Sequence, residues 1–191
     1  RRQARRLAKR LGWRVTWARK HHPYTPLVWW RTEGIAVFSA LPMSHVMRSP
    51  ISLGASTWTY RHRVVLAVTV TRGASALRVY NTHLGTTTDE RIAQARRLAE
   101  IVAHEDAPLR VVGGDLNTHQ HDLVEIVREL HTVGLHDVGG DSTSPVEAPH
   151  HRLDMVLLPD GATVLDQHVP EGGEEWARIS DHLPALMEFE R

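Results

Sequence analysis

The stretch that most constrains the fold runs from Leu109 to Asn117, where a short apolar run meets two glycines and then an acid and an amide. An apolar, β-branched run of this length is typical of an interior strand that is covered on both faces. Gly113 and Gly114 permit a tight turn or a close approach to a ligand. We therefore expect a buried strand that presents polar groups at its C-terminal end.

Two interpretations of Asp115 and Asn117 are open. In an extended backbone, residues i and i+2 point to the same side, so the carboxylate and the carboxamide would face one pocket. There the carboxylate could take a proton from water or hold a metal ion, and the neutral amide could orient water or phosphate, which suits phosphate-ester hydrolysis. Alternatively, the segment is a simple turn in which both side chains cap local amides.

Length and composition indicate one soluble globular domain over residues 1–191. The chain is 41% hydrophobic and 24% charged, which is enough for a proper core and too apolar for a disordered chain. No apolar run is long enough to span a bilayer. Because the chain has no cysteine, any metal ion must be held by Asp, Glu, Asn or His. We expect a monomer, and the compartment stays open.

The N-terminal region is strongly basic, because no carboxylate occurs before Glu33 and nine arginines and lysines crowd the first twenty positions. Such a face would attract phosphates or nucleic acid. We favour the alternative that it is a solvated helix face whose arginine stems cover apolar neighbours. The pair Trp29 and Trp30, next to Arg31, is the best candidate for a substrate-facing aromatic group.

The hydrophobic pattern predicts an α+β protein with sheets covered by helices. Helices are expected over Arg2 to Leu11, after a cap at Asp89, and after Asp122, whereas Met43 to Ser56 and Gly139 to Pro149 are expected to be irregular loops. Strands are expected at Trp13 to Trp17, Gly34 to Ser39, Tyr60 to Val70, Leu77 to Thr82, the Leu109 segment, Arg152 to Leu158 and Ala185 to Phe189.

Polar residues recur where predicted strands end, and such ends often gather at one edge of a sheet to build a site. In order they lie in Asn-Thr-His-Leu (81–84), Gly-Gly-Asp-Leu-Asn (113–117), Arg-Leu-Asp-Met-Val (152–156) and Ser-Asp-His-Leu-Pro (180–184). This ordered set resembles the endonuclease/exonuclease/phosphatase superfamily of metal-dependent phosphoesterases. The resemblance covers nearly the whole chain and implies a DNase I-like fold, a two-sheet β-sandwich flanked by helices in four αββα layers.

The resemblance also implies roles for individual residues. Asp115 would orient and deprotonate the attacking water, and Asn117 would hold Asp115 and the scissile phosphate. His182 would donate to a phosphate oxygen as negative charge builds up, and Asp154 would pair with His182 or serve the leaving group. His83 matches a second phosphate-contacting histidine of the deoxyribonuclease-like branch.

A divalent metal ion is expected beside these groups. The resemblance assigns it to Asp181, with Asp115 and Asn117, and hard oxygen ligands favour Mg²⁺ or alternatively Mn²⁺. A competing zinc hypothesis rests on the fourteen histidines, with His119, His121, His150 and His151 as the candidate group. We do not favour it, because His119 and His121 lack a helical i, i+4 spacing and a nearby third ligand.

One departure from the family pattern is important. That pattern begins with a strand ending in asparagine and a second strand ending in Gln-Glu, whose glutamate is a principal metal ligand, and neither is found here. We therefore expect an N-terminally truncated member that lacks the first two strands and holds its metal weakly. The alternative function is a catalytically impaired remnant that binds phosphate or nucleic acid. The substrate, whether DNA, RNA, inositol phosphate or lipid, is not predicted.

Overall fold

A computed structural model describes residues 2–19, 33–52, 62–107 and 109–191. In chain order the elements are α1 (Arg2–Leu11), β1 (Arg14–Arg19), β2 (Gly34–Ser39), β3 (Met43–Pro50), β4 (Val64–Arg72), β5 (Ser75–His83), α2 (Thr88–Ala103), β6 (Arg110–Asp115), α3 (Leu123–His131), β7 (Leu135–Asp137), β8 (Asp154–Pro159), β9 (Thr163–His168), α4 (Glu174–Ala177) and β10 (Leu186–Glu190).

The largest layer is a mixed six-stranded sheet with the order β3-β4-β5-β6-β8-β7. β4 and β5 form an antiparallel hairpin around Gly73, which has a positive φ of 60°. β5 and β6 are parallel, since α2 carries the chain back across the sheet between them. Two antiparallel ribbons, β1-β2 and β9-β10, complete the described strands.

The sheet is apolar on both faces, which explains the long apolar run in β4. On one face Val65 and Ala67 join the main core, to which α2 contributes Leu98 and α3 contributes Leu130. On the other face Val64 and Leu66 pack with Ala18 of β1 in a second core. α1 lies against β1. The layers are therefore helices, sheet, strand ribbon and helix, an α+β arrangement that confirms the predicted fold class.

Several predicted elements are confirmed, and others need correction. α1 and β2 have the predicted bounds, and β6 is the predicted central strand. The prediction of an irregular stretch from Met43 is wrong as far as Pro50, because these residues form the sheet-edge strand β3. Most β3 side chains are exposed, so the strand is held by backbone pairing and leaves little hydrophobic pattern.

The predicted cap at Asp89 also needs correction. Thr87 is the N-cap of α2, and Asp89 lies in the first turn, where a carboxylate stabilises the helix dipole. The aromatic pair at positions 29 and 30 lies outside the described residues. Among the described helices, none is both long and apolar enough to cross a membrane.

Candidate active site

Three neighbouring strands bring predicted site residues to the same level at one end of the sheet. His83 is the last residue of β5, and its register partner on β6 is Asp115. Asp115 is in turn the register partner of Asp154, the first residue of β8. The three residues thus form a row across the sheet, because two strands end where a third begins.

The side chains of this row meet a residue from the C-terminal loop. The Nε2 atom of His83 lies 3.4 Å from Oδ2 of Asp115, and Nδ1 of His182 lies 2.7 Å from Oδ2 of Asp154. Potential ligand atoms of Asp115, Asp154 and His182 all lie within 4.8 Å of one another. The side chains of His83, Asp115, Asp154 and His182 are all partly buried, so they remain accessible to solvent.

Asn117 joins this group through a backbone conformation that the sequence did not predict. Its φ is 51°, in the left-handed region, so the extended i, i+2 interpretation is wrong for this residue. Its backbone N–H donates to Oδ1 of Asp115 at 2.9 Å, and its side-chain amide donates to the Leu84 carbonyl at 3.0 Å. The turn interpretation therefore describes the backbone, and the turn itself holds the Asp115 carboxylate.

Asp181 was predicted as a metal ligand, and it is placed differently. Its side chain is exposed, and it does not belong to the group formed by Asp115, Asp154 and His182. Its backbone carbonyl accepts the Val146 N–H at 3.0 Å. The metal-binding role of Asp181 stays a prediction.

Thr143 is a site residue that sequence reasoning missed. It is fully buried, and its hydroxyl donates to Oδ2 of Asp154 at 2.7 Å. Its backbone carbonyl accepts the N–H of Leu183, the residue after His182, at 2.7 Å. Thr143 thus positions Asp154 directly and His182 through the backbone of its neighbour Leu183. Its place in a polar loop gives no sequence signal for this role.

Burial and the neighbouring charges of the site disfavour the ionised form of Asp115. Burial raises the pKa of Asp115, and the negative charge of Asp154 raises it further, against the opposing effects of the Asn117 N–H, His182 and Arg63. Arg63, which sequence reasoning also missed, is only 6% exposed and precedes β4. Two carboxylates in one partly buried cleft fit a divalent cation, which would relieve their mutual repulsion.

A buried ion pair supports the loop that follows Asn117. Arg91 of α2 donates to the Asp122 carboxylate, its Nε lying 2.7 Å from Oδ2, and both residues are 1% exposed. Oδ1 of Asp122 accepts the His119 N–H at 2.9 Å. Burial alone would raise the pKa of Asp122, but the His119 N–H and the Arg91 charge outweigh it and hold the pKa below its ordinary value.

Solved structures with the same fold identify the architecture. An endonuclease/exonuclease/phosphatase family protein from Leptotrichia buccalis aligns with a TM-score of 0.73 and 18% identity, covering 94% of this chain and 72% of its own. A mannosyl-6-phosphatase from Bacteroides thetaiotaomicron gives 0.75 and 13%, covering 100% and 82%. The human Nocturnin catalytic domain, with bound sulfate, gives 0.70 and 19%, covering 97% and 74%.

The fold is therefore the DNase I-like fold of endonuclease/exonuclease/phosphatase proteins, as the ordered motifs predicted. Comparison of the sequence alone finds no matching family model and no matching curated protein.

Proposed function

We propose that the protein is a metal-dependent phosphoesterase of the endonuclease/exonuclease/phosphatase family, which hydrolyses phosphodiester or phosphomonoester bonds by in-line attack of water. The observation that carries the proposal is the meeting of Asp115, Asp154 and His182 within 4.8 Å, beside His83, at the end of the sheet. A phosphatase and a sulfate-bound catalytic domain among the similar structures support a site for a tetrahedral anion.

Asp115 is the proposed base. In the metal-free protein its pKa is raised, which makes it a stronger base than an ordinary carboxylate. The Asn117 N–H fixes its Oδ1 at 2.9 Å, so the carboxylate keeps one orientation. Fixing the base in place reduces the entropy that the reaction must lose.

His182 is the proposed stabiliser of charge on the phosphate. Its Nδ1 lies 2.7 Å from the Asp154 carboxylate, which orients the ring. When the ring carries a proton on both nitrogens, its Nε2–H can donate to a phosphate oxygen. His83, 3.4 Å from Asp115 on the other side, is positioned to make a second such contact.

The metal ion that fits this site is Mg²⁺, with Mn²⁺ as the alternative. Asp115 and Asp154 offer hard carboxylate oxygens. Of the other predicted ligands, Asn117 follows Asp115 by two positions, and Asp181 directly precedes His182. When bound, the ion would neutralise negative charge on the phosphoryl oxygens.

The proposal is tested by assaying the purified protein on bis(p-nitrophenyl) phosphate and p-nitrophenyl phosphate, first in EDTA and then with excess Mg²⁺. We expect turnover only after Mg²⁺ is added. Equal turnover in both conditions would contradict metal dependence. Salt-dependent binding of an oligonucleotide without any turnover would favour the alternative, a binding module for phosphate or nucleic acid.

A further inference from the structure

A groove lined by imidazole rings lies next to the candidate active site. Its volume is about 460 Å³, and its walls include His119, His150 and His151, together with Gln120 and Ser142. His150 and His151 are exposed, and His119 is half-buried. The proposed reaction assigns no role to any of these residues.

Several residues that line the groove are direct chain neighbours of active-site residues. Thr118 also lines the groove and directly follows Asn117, and its hydroxyl donates to the Arg152 carbonyl at 3.0 Å. Ser142, which also lines the groove, directly precedes Thr143, whose hydroxyl donates to Asp154. The groove is therefore built by the same chain segments as the active site, where the rest of a long substrate could lie.

The histidine rings lie in one connected cluster. His119 and His121 are parallel within 4°, with ring centroids 5.9 Å apart. His151 meets the edge of His119 at 5.5 Å and the ring of His150 at 4.2 Å. Among the described residues, these histidines are not in the one group whose ligand atoms converge for a metal ion. Their geometry suits contact with a planar group better than chelation.

We propose that this histidine groove binds the nucleotide next to the scissile phosphate, which makes single-stranded nucleic acid the substrate class. The inference rests on the proposed phosphoesterase function. Flat ring faces stack on any base, and amide and hydroxyl groups such as those of Gln120 and Ser142 can bond base edges or sugar. The volume lies in the range of sites that hold one small ligand.

The test measures the Kd of a fluorescein-labelled single-stranded oligodeoxynucleotide by fluorescence anisotropy. The titration is done in EDTA so that no cleavage occurs. We expect the variant His150→Ala/His151→Ala to bind at least about fivefold more weakly than the parent. The control His104→Ala/His168→Ala removes two exposed histidines outside the groove and should leave the Kd within about twofold. His151→Phe, which keeps a flat ring, should retain parental affinity.

Hydrolysis of bis(p-nitrophenyl) phosphate separates this inference from the proposed function. The His150→Ala/His151→Ala variant keeps Asp115, Asp154 and His182, so it should hydrolyse this substrate with the parental kcat even if loss of a ring contact raises the KM. Equal oligonucleotide binding by parent, groove variant and control would overturn the inference while leaving the phosphoesterase proposal intact. Loss of affinity in His151→Phe equal to that in His150→Ala/His151→Ala would also overturn it. If the groove variant binds the oligonucleotide more weakly than the parent, but the parent hydrolyses neither the oligonucleotide nor bis(p-nitrophenyl) phosphate in Mg²⁺, the phosphoesterase proposal is overturned and the groove inference stands as a binding site.

Discussion

At the scale of single residues, Asp115 is the proposed base, and its ionised form lowers the stability of the metal-free folded protein. Burial and the neighbouring charge of Asp154 raise its pKa above the ordinary carboxyl value. In the unfolded chain the same carboxyl ionises in its usual range. The folded state is therefore penalised as the pH rises from that range through the raised pKa, and the penalty is fully present above it.

We expect Asp115→Asn to raise the stability of the metal-free protein at neutral pH, because the amide removes a disfavoured charge yet can still accept the Asn117 N–H. The gain should shrink as the pH falls and vanish below the ordinary carboxyl range, where Asp115 is neutral in both states. Urea unfolding in EDTA at a series of pH values measures this. The exposed Asp106→Asn is the matched control. A variant that is less stable than the parent at neutral pH would refute the expectation.

The residue scale also shows what the sequence could not provide. The polar motifs predicted His83, Asp115, Asp154 and His182, which the fold brings together, because each motif marks the end of an element. Thr143 was missed because its role depends on burial in a loop whose composition is ordinary.

At the scale of elements, one buried ion pair connects α2 with the loop that leads from the active site to α3. Arg91 also donates to the Thr86 carbonyl at 2.8 Å, so it holds the start of α2 as well as Asp122. Through Asp122 it reaches the His119 backbone. The loop between Asn117 and α3 is thus held by a charge pair that has no access to solvent.

We expect Asp122→Ala to destabilise the protein by about 3–5 kcal/mol, because it leaves the buried Arg91 charge without its partner. The matched control is Glu129→Ala, which breaks the Arg96–Glu129 ion pair between α2 and α3. In that pair Arg96 is 60% exposed, so the loss should be much smaller than that of Asp122→Ala. Urea unfolding of both variants gives the comparison. Equal losses would show that burial does not set the strength of the Arg91 pair.

The elements themselves were predictable where one face is buried. β2 and α1 have the expected bounds, and the alternation in β5 predicted its strand. β3 and β9 were missed because their side chains are largely exposed, so backbone pairing forms these strands without a hydrophobic signature. A sequence pattern reports burial, and it therefore misses structure made by the backbone alone.

At the scale of the whole molecule, the sheet order makes the site. His83 and Asp154 are separated by 71 positions in the chain, yet both flank Asp115, because β5, β6 and β8 are neighbours. No local pattern encodes that order, and the ordered motifs predicted only that these residues would meet in one site. The same layering leaves the histidine groove open beside the row.

The central claim is that this row and His182 act as one hydrolytic site. The most direct test is the rate of bis(p-nitrophenyl) phosphate hydrolysis in Mg²⁺ by the parent, Asp115→Asn, His182→Ala and the exposed control Asp106→Asn. We predict that the first two substitutions each lower kcat at least about a hundredfold, while the control keeps the parental rate. Parental rates in Asp115→Asn and His182→Ala would contradict the account.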